Sequence, residues 1–178
     1  MNFQKILIAN RGEIAIRIAR AAADLSIQSV AVYSQDDAQS LHVRLADAAV
    51  ALNGHGAAAY LNIEGVLAAA KAAGCDAVHP GYGFLSENAD FAAACADAGL
   101  TFIGPSPLVL SAFGDKAAAR ALAKKHAVPI LLGTEGPTSL DDARRFLAAH
   151  GAIIIKAIAG GGGRGMRIVT DEGALDEA

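Results

Sequence analysis

Along the first hundred or so residues, apolar runs of strand length alternate with segments of helical period. This alternation restricts the possible folds more than any other feature. "KILIA" precedes "GEIAIRIARAAADL", "SVAVYS" precedes "DAQSLHVRLA", "AAVAL" precedes "IEGVLAAAKAAG", "DAVH" precedes "ENADFAAACADAG", and "TFIG" closes the series. Strand-helix-strand repetition of this kind means parallel strands joined by crossover helices, an α/β open parallel sheet. In the first helix Ile14, Ile18, Ala22 and Leu25 recur every three or four residues as the core stripe, whereas Arg17, Arg20 and Asp24 share another face. That second face is free for solvent or for a subunit contact.

After "FIGPSP" the rhythm changes, and a new unit is expected to begin at Gly114, dividing the chain into residues 1–113 and 114–178. Its parts are a helix "KAAARALAKKHA" ended by "VP", a turn-rich stretch, and a helix "DDARRFLAAHG" capped by Gly151. A strand "AIIIK", a glycine run, a strand "MRIVT" and a last helical start "DEGALDEA" follow. Two strands are too few to close a core by themselves, and no internal repeat is present.

Composition excludes several functions. A chain of 178 residues, 53% of them hydrophobic, buries a sizeable core, yet no segment approaches the ~18 to 20 unbroken apolar residues of a membrane span. The N-terminus has neither the basic leader and long apolar region of a secretory signal nor the Arg/Ser-rich character of a transit peptide, which gives the cytosol as the expected compartment. A net charge of -3, with tyrosines and phenylalanines not interleaved with basic clusters, argues against a nucleic-acid partner. Cys75 and Cys95 have no metal-ligand spacing, and Cys95 reads as a small core residue.

Three stretches carry chemistry. The turn "IANRGEIA" has the single glycine Gly12 where a dinucleotide fingerprint needs three, so NAD binding is excluded there and Asn10 and Gly12 are assigned to the turn and helix start. The run "KAIAGGGGRGM", Lys156 to Met166, lacks the Lys-Ser or Lys-Thr of a P-loop. Its glycines still let backbone N–H groups approach an anion, and a loop between two strands can close over a polyphosphate, with Lys156 as a point charge at the strand end. Lys116 sits in the first turn of a helix, where the dipole disfavours a cation by about 0.3 to 1 kcal/mol, a placement an anionic ligand explains. The third stretch, "HPGYGFLSEN", is expected at a strand's carboxyl end, where open parallel sheets bind ligands. Pro80, Gly81 and Gly83 set a rigid turn presenting Tyr82, Ser86 and Glu87 are expected to open the next helix, and His79 is read as a structural hydrogen-bonding residue.

Taken in order, "KILIANRGEIAIRI", "HPGYGFLSEN", "FIGPS", "GDK" and "KAIAGGGGRGMR" closely resemble the start of biotin carboxylase, the ATP-grasp component of biotin-dependent carboxylases. The resemblance implies a Rossmann-like pre-ATP-grasp domain followed by the beginning of an ATP-grasp domain, with the glycine run folding over the triphosphate. It implies ATP contacts at Lys116, Lys156, Gly160, Gly161, Gly162, Gly163 and Met166. Tyr82, Gly83 and Glu87 fall at the biotin and bicarbonate end, and Arg17, Arg20 and Asp24 on the helix used in homodimers. Also implied are Mg2+ with ATP, biotin on a carrier domain as substrate, a carboxyltransferase partner, and a loop ordered only when ATP is bound. Leu132 and Ala159 depart from the family's usual proline and glycine. The catalytic residues and metal ligands are expected in a C-terminal portion that family members have, so the chain is expected to be an N-terminal fragment, inactive alone. Another ATP-grasp ligase, such as the carbamoyl-phosphate synthetase large chain, and a noncatalytic dimerisation or interaction module are the competing readings.

Overall fold

The computed structural model describes residues 3–134, 136–156 and 165–177. The chain divides into two compact units, Met1–Gly114 and Asp115–Ala178.

In the first unit, five strands lie in the order β3-β2-β1-β4-β5, all parallel: β1 (Lys5–Ile8), β2 (Gln28–Tyr33), β3 (Ala48–Ala51), β4 (Ala77–His79) and β5 (Thr101–Phe102). The expected α/β open parallel sheet is what forms. Because successive strand residues face opposite sides, β1 feeds two cores at once. Ile6 and Ile8 pack with Ala15, Ile18, Ala19 and Ala22 of helix α1 (Gly12–Asp24), and Leu7 joins Val30, Val32, Tyr60, Val66, Val78 and Phe91 on the other side. Arg17, Arg20 and Asp24 stay exposed on α1, but Leu25 does not complete the buried stripe. It is the residue that ends the helix and is 71% exposed.

Short helices α2 (Leu41–Leu45) and α3 (Gly56–Tyr60) and the longer α4 (Ile63–Ala72) complete the crossovers to β4. The helix after β4, α5, runs Ala89–Asp97, and its N-cap is Asn88, whose side-chain oxygen accepts from the Phe91 N–H at 2.7 Å. Ser86 and Glu87 therefore lie before the helix, in a turn closed by Ser86 N–H to Gly83 and Asn88 N–H to Leu85, and the first-turn acid is Asp90. The cap moved because an asparagine side chain three residues before Phe91 satisfies an orphan N–H better placed than Ser86 can reach. A further helix, α6 (Pro107–Gly114), forms in a stretch to which the sequence reading assigns no element; its proline stands at the first helical position, where the missing N–H costs nothing.

His42 of α2 is 2% exposed, its Nε2 meets the Val32 carbonyl at 3.3 Å, and its Nδ1 has no hydrogen-bond partner among the described residues. Burial holds its pKa below the ordinary 6.5, partly offset by that carbonyl. The unfolded chain thus binds a proton that the folded chain refuses. The contribution to stability is complete above pH 6.5 and falls as the pH drops from there toward the folded value. An NMR titration of the His42 ring is expected to give a midpoint below 6.5, and a midpoint above it contradicts this burial argument.

The second unit holds α7 (Lys116–Lys125), α8 (Leu140–His150) and the antiparallel pair β6 (Ile153–Lys156) and β7 (Met166–Val169). The end of α7 is set by Ala127, at φ 55°, and by the bond from Val128 N–H to the Ala123 carbonyl, rather than by the proline that follows. Gly151, at φ 73°, ends α8 as the sequence indicates. Leu147, Ile153, Val169 and Leu175 form a small core. "DEGALDEA" is not a helix over its described residues but a set of turns, in which Asp171 accepts from the Ala174 N–H at 3.0 Å and Arg144 pairs with Asp176 at 2.8 Å and Glu172 at 3.5 Å.

Candidate functional site

The chain runs outward from β1 through β2 to β3, then returns to the other side of β1 for β4. The order of strands reverses between β1 and β4, and in open α/β sheets ligands bind in the crevice outside the carboxyl ends at such a point. The residues leaving β1 there are Ala9, Asn10 and Arg11; those leaving β4 are Pro80, Gly81 and Tyr82. Ala9 N–H still bonds the His79 carbonyl at 2.9 Å, so the two strand ends are tied together.

The turn after β4 is sharply wound: Gly81 and Gly83 adopt φ 66° and 65°, and Phe84 follows at φ 41°. His79 Nδ1 accepts from the Gly81 N–H at 3.1 Å, which requires the ring to be neutral, and burial indeed lowers its pKa. Tyr82 projects from this turn, 61% exposed, and its hydroxyl bonds the Glu13 carboxylate of α1. Gly83 and Glu87 are exposed on the same turn. The structure places Tyr82 exposed on a tight turn, as the sequence indicates, but Glu87 stands before the helix it was expected to open.

Beside the turn, Arg11 reaches Asp37 at 3.0 Å and lies over the rings of Tyr60 and Phe84, 5.6 and 5.9 Å from their centroids. Tyr60 donates to Asp37 at 2.8 Å and stacks on Phe84 with centroids 5.1 Å apart. Burial acts to raise the Asp37 pKa, but donation from Tyr60, Arg11 and Ser40 and the Arg11 charge outweigh it, bringing the carboxyl down to about 2. Burial and the same carboxylate push the Tyr60 phenol up to about 12. The sign for Asp37 follows: its stabilisation is present above 3.8 and is lost as the pH falls from there through about 2. Asp37→Asn is expected to flatten acid unfolding across that window; an unchanged acid profile contradicts the network.

Along α1, Glu13, Ile16, Arg17, Arg20, Ala21 and Asp24, with Leu41 of α2, line a shallow groove of about 590 Å³. Arg17, Arg20 and Asp24 are therefore brought together on one surface, with Glu13 linking that surface to Tyr82.

In the second unit Lys116 is the first residue of α7, behind Asp115, whose carboxylate accepts from the N–H groups of Ala117 and Ala118 at 2.8 and 3.0 Å. Those backbone donors hold the Asp115 pKa down. Lys156 ends β6 and is paired in register with Met166, so the two face each other across the hairpin; both are exposed. Gly160, Gly161, Gly162 and Gly163, with Ala159 and the expected ordering of the loop by ATP, lie outside the described residues. Leu132 is 78% exposed. No group of three or more histidine, cysteine or acidic side chains able to hold a metal ion occurs among the described residues, and no helix among them is long and apolar enough to cross a membrane.

Sequence reasoning missed two functional-looking features: the Arg11–Asp37–Tyr60–Phe84 cluster and the side-chain bonds of Asn10 to the turn after β4. Both join residues far apart in the chain, and only the position of Asn10 at the end of a parallel strand hinted at a role in the crevice.

Residues 2–110 match the family described as biotin carboxylase, N-terminal domain, and residues 115–178 match the carbamoyl-phosphate synthase L chain, ATP binding domain. Human mitochondrial pyruvate carboxylase is 52% identical over 98% of this chain, which spans 15% of that protein. The biotin carboxylase of Haemophilus influenzae is 50% identical, with 98% of this chain spanning 40% of its length. Among solved structures, the biotin carboxylase domain dimer of Hydrogenobacter thermophilus 2-oxoglutarate carboxylase, in complex with MgADP, ADP and bicarbonate, superposes with a TM-score of 0.93 at 41% identity, covering 99% of this chain and 40% of that one. The chain thus spans well under two thirds of each of these relatives. With its five-stranded parallel sheet and its match from residue 2 to 110, the chain belongs to the biotin carboxylase N-terminal domain family.

Proposed function

We propose that this chain is the N-terminal part of a biotin carboxylase, an ATP-dependent ligase that carboxylates biotin with bicarbonate through carboxyphosphate, and that by itself the chain does not turn over. The observation that carries the reading is the tightly wound Tyr82 turn at the strand-order reversal, in one chain with a glycine run whose flanking strands pair Lys156 with Met166. "HPGYGFLSEN", and relatives matched along almost the whole chain that are carboxylases, favour carboxybiotin over carbamoyl phosphate as the product.

In this reading residues 1–113 are the Rossmann-like N-terminal domain and residues 114–178 the start of the ATP-grasp domain. Lys116 and Lys156 offset phosphate charge, with Gly160 to Gly163 and Met166 at the nucleotide. Tyr82, Gly83 and Glu87 serve the biotin and bicarbonate end. Mg2+ bound with ATP would neutralise phosphate charge, and its ligands are assigned to the C-terminal portion that family members have. The α1 groove with Arg17, Arg20 and Asp24 is the homodimer contact, and a biotin carrier domain and a carboxyltransferase are the partners. The cytosol remains the proposed compartment.

The test is phosphate release from ATP by the full-length gene product. Release is expected only when bicarbonate and free biotin are both present. ATP cleavage indifferent to biotin would overturn the reading in favour of another ATP-grasp ligase, and no cleavage at all would favour an interaction module.

A further inference from the structure

Asn10 is 3% exposed, and a carboxamide buried that deeply is costly unless its polar atoms are met. They are. Nδ2 donates one hydrogen to the Pro80 carbonyl at 2.7 Å and the other to the Tyr82 carbonyl at 2.8 Å, while Oδ1 accepts from the Arg11 N–H at 2.9 Å. The orientation of the amide is fixed by chemistry, because the flipped group would aim an oxygen at two carbonyl oxygens. Only the bond to Arg11 serves the turn after β1. The other two reach 70 and 72 residues along the chain and grip the backbone on either side of Gly81.

The grip also dictates what residue 81 can be. A Cβ there would stand 2.7 Å from Asn10 Nδ2, 3.1 Å from Cγ and 3.2 Å from Cβ, in addition to the strain of φ 66°. His79 Nδ1 also accepts from the Gly81 N–H at 3.1 Å. The consequence falls on Tyr82. Its side chain is mostly in solvent, with the Glu13 carboxylate as its hydrogen-bond partner, so its position is inherited from its own backbone. A surface turn has no need of a buried carboxamide to be stable, whereas a group that meets a substrate must be held to a fraction of an ångström.

We infer that Asn10 is a positioning residue: its carboxamide pins the Pro80 and Tyr82 carbonyls and thereby sets where Tyr82 and Gly83 stand in the crevice beyond β1 and β4. The inference rests on the reading of that turn as the biotin and bicarbonate end.

The experiment compares Asn10→Asp, Asn10→Ala and Tyr82→Ala in the full-length product. Asn10→Asp keeps the shape but replaces the two-hydrogen donor with an oxygen facing two carbonyls; Asn10→Ala deletes the donor without repulsion and serves if the first variant does not fold. For either, KM for free biotin is expected to rise about 10- to 100-fold while KM for ATP stays within about twofold, the size of effect that a misplaced contact group produces. A purely structural role would instead reduce the amount of active enzyme and leave both KM values unchanged. If Tyr82→Ala raises KM for biotin and neither Asn10 variant does, the positioning role is overturned while the assignment of the turn stands. If none of the three moves it, or the product shows no dependence on biotin, the assignment of the turn fails and the inference fails with it.

Discussion

Lys156→Ala is expected to slow ATP cleavage by the full-length product roughly 100- to 1000-fold, the range seen when one preorganised charge or donor is removed from a developing oxyanion. Lys156 is the last residue of β6, exposed, and opposite Met166 in the hairpin register. Removing its ammonium deletes a positive charge at the mouth of the glycine run without opening the core of Leu147, Ile153, Val169 and Leu175. The fold of the second unit should therefore survive. Phosphate release under single-turnover conditions, read beside thermal unfolding, separates the two effects: slow chemistry at unchanged stability is the expected pair. A rate within about twofold of the parent would remove Lys156 from the proposed nucleotide contacts. Lys156→Arg, which keeps the charge but changes its reach, should recover part of the loss.

Phe91→Ala is expected to cost the first unit about 3 to 5 kcal/mol, a large fraction of the stability of a domain of this size. Phe91 is fully buried at the first turn of α5 and meets Phe102 of β5 edge to face, with ring centroids 5.8 Å apart. The ring lies in the larger of the two cores flanking the sheet, among Leu7, Val78, Cys95 and Leu100. Truncation removes both the transfer term and the edge-to-face contact and leaves a cavity too deep to collapse. Denaturant titration of the purified variant should show a lower midpoint at unchanged slope. A loss below about 1 kcal/mol would mean that the core around α5 repacks freely.

Much of this was legible from the sequence, for reasons visible in particular residues. β1, β2 and β4 are buried on both faces, so they read as continuous apolar runs, and the helices between them carry a clean 3.6-residue stripe. Gly151 marked the end of α8 because a left-handed residue is needed there. Leu25 was misplaced because periodicity continues past a helix end that periodicity does not detect. The start of α5 was placed at Ser86 and Glu87 because a serine before an acid is a good helix start, whereas the Phe91 N–H, three residues past Asn88, fixes the cap at Asn88. α6 was hidden by prolines, one of which opens the helix instead of breaking it.

Within the site, the positions of Tyr82 and Gly83 followed from the glycines around them and from the strand they follow. The grip of Asn10 on their backbone did not, since nothing local reveals a bond spanning 72 residues. Nor did the Arg11, Asp37, Tyr60 and Phe84 cluster, whose members come from four separate segments and meet only once the sheet order is set.

The proposed reaction ends with a carbon–nitrogen bond between bicarbonate carbon and biotin, and isotope-labelled bicarbonate tests this most directly. The full-length product, incubated with ATP, magnesium, free biotin and label, is expected to yield carboxybiotin that retains the labelled carbon, in amounts matching the phosphate released. Phosphate released with no label on biotin would contradict the assignment of this chain to a biotin-carboxylating parent.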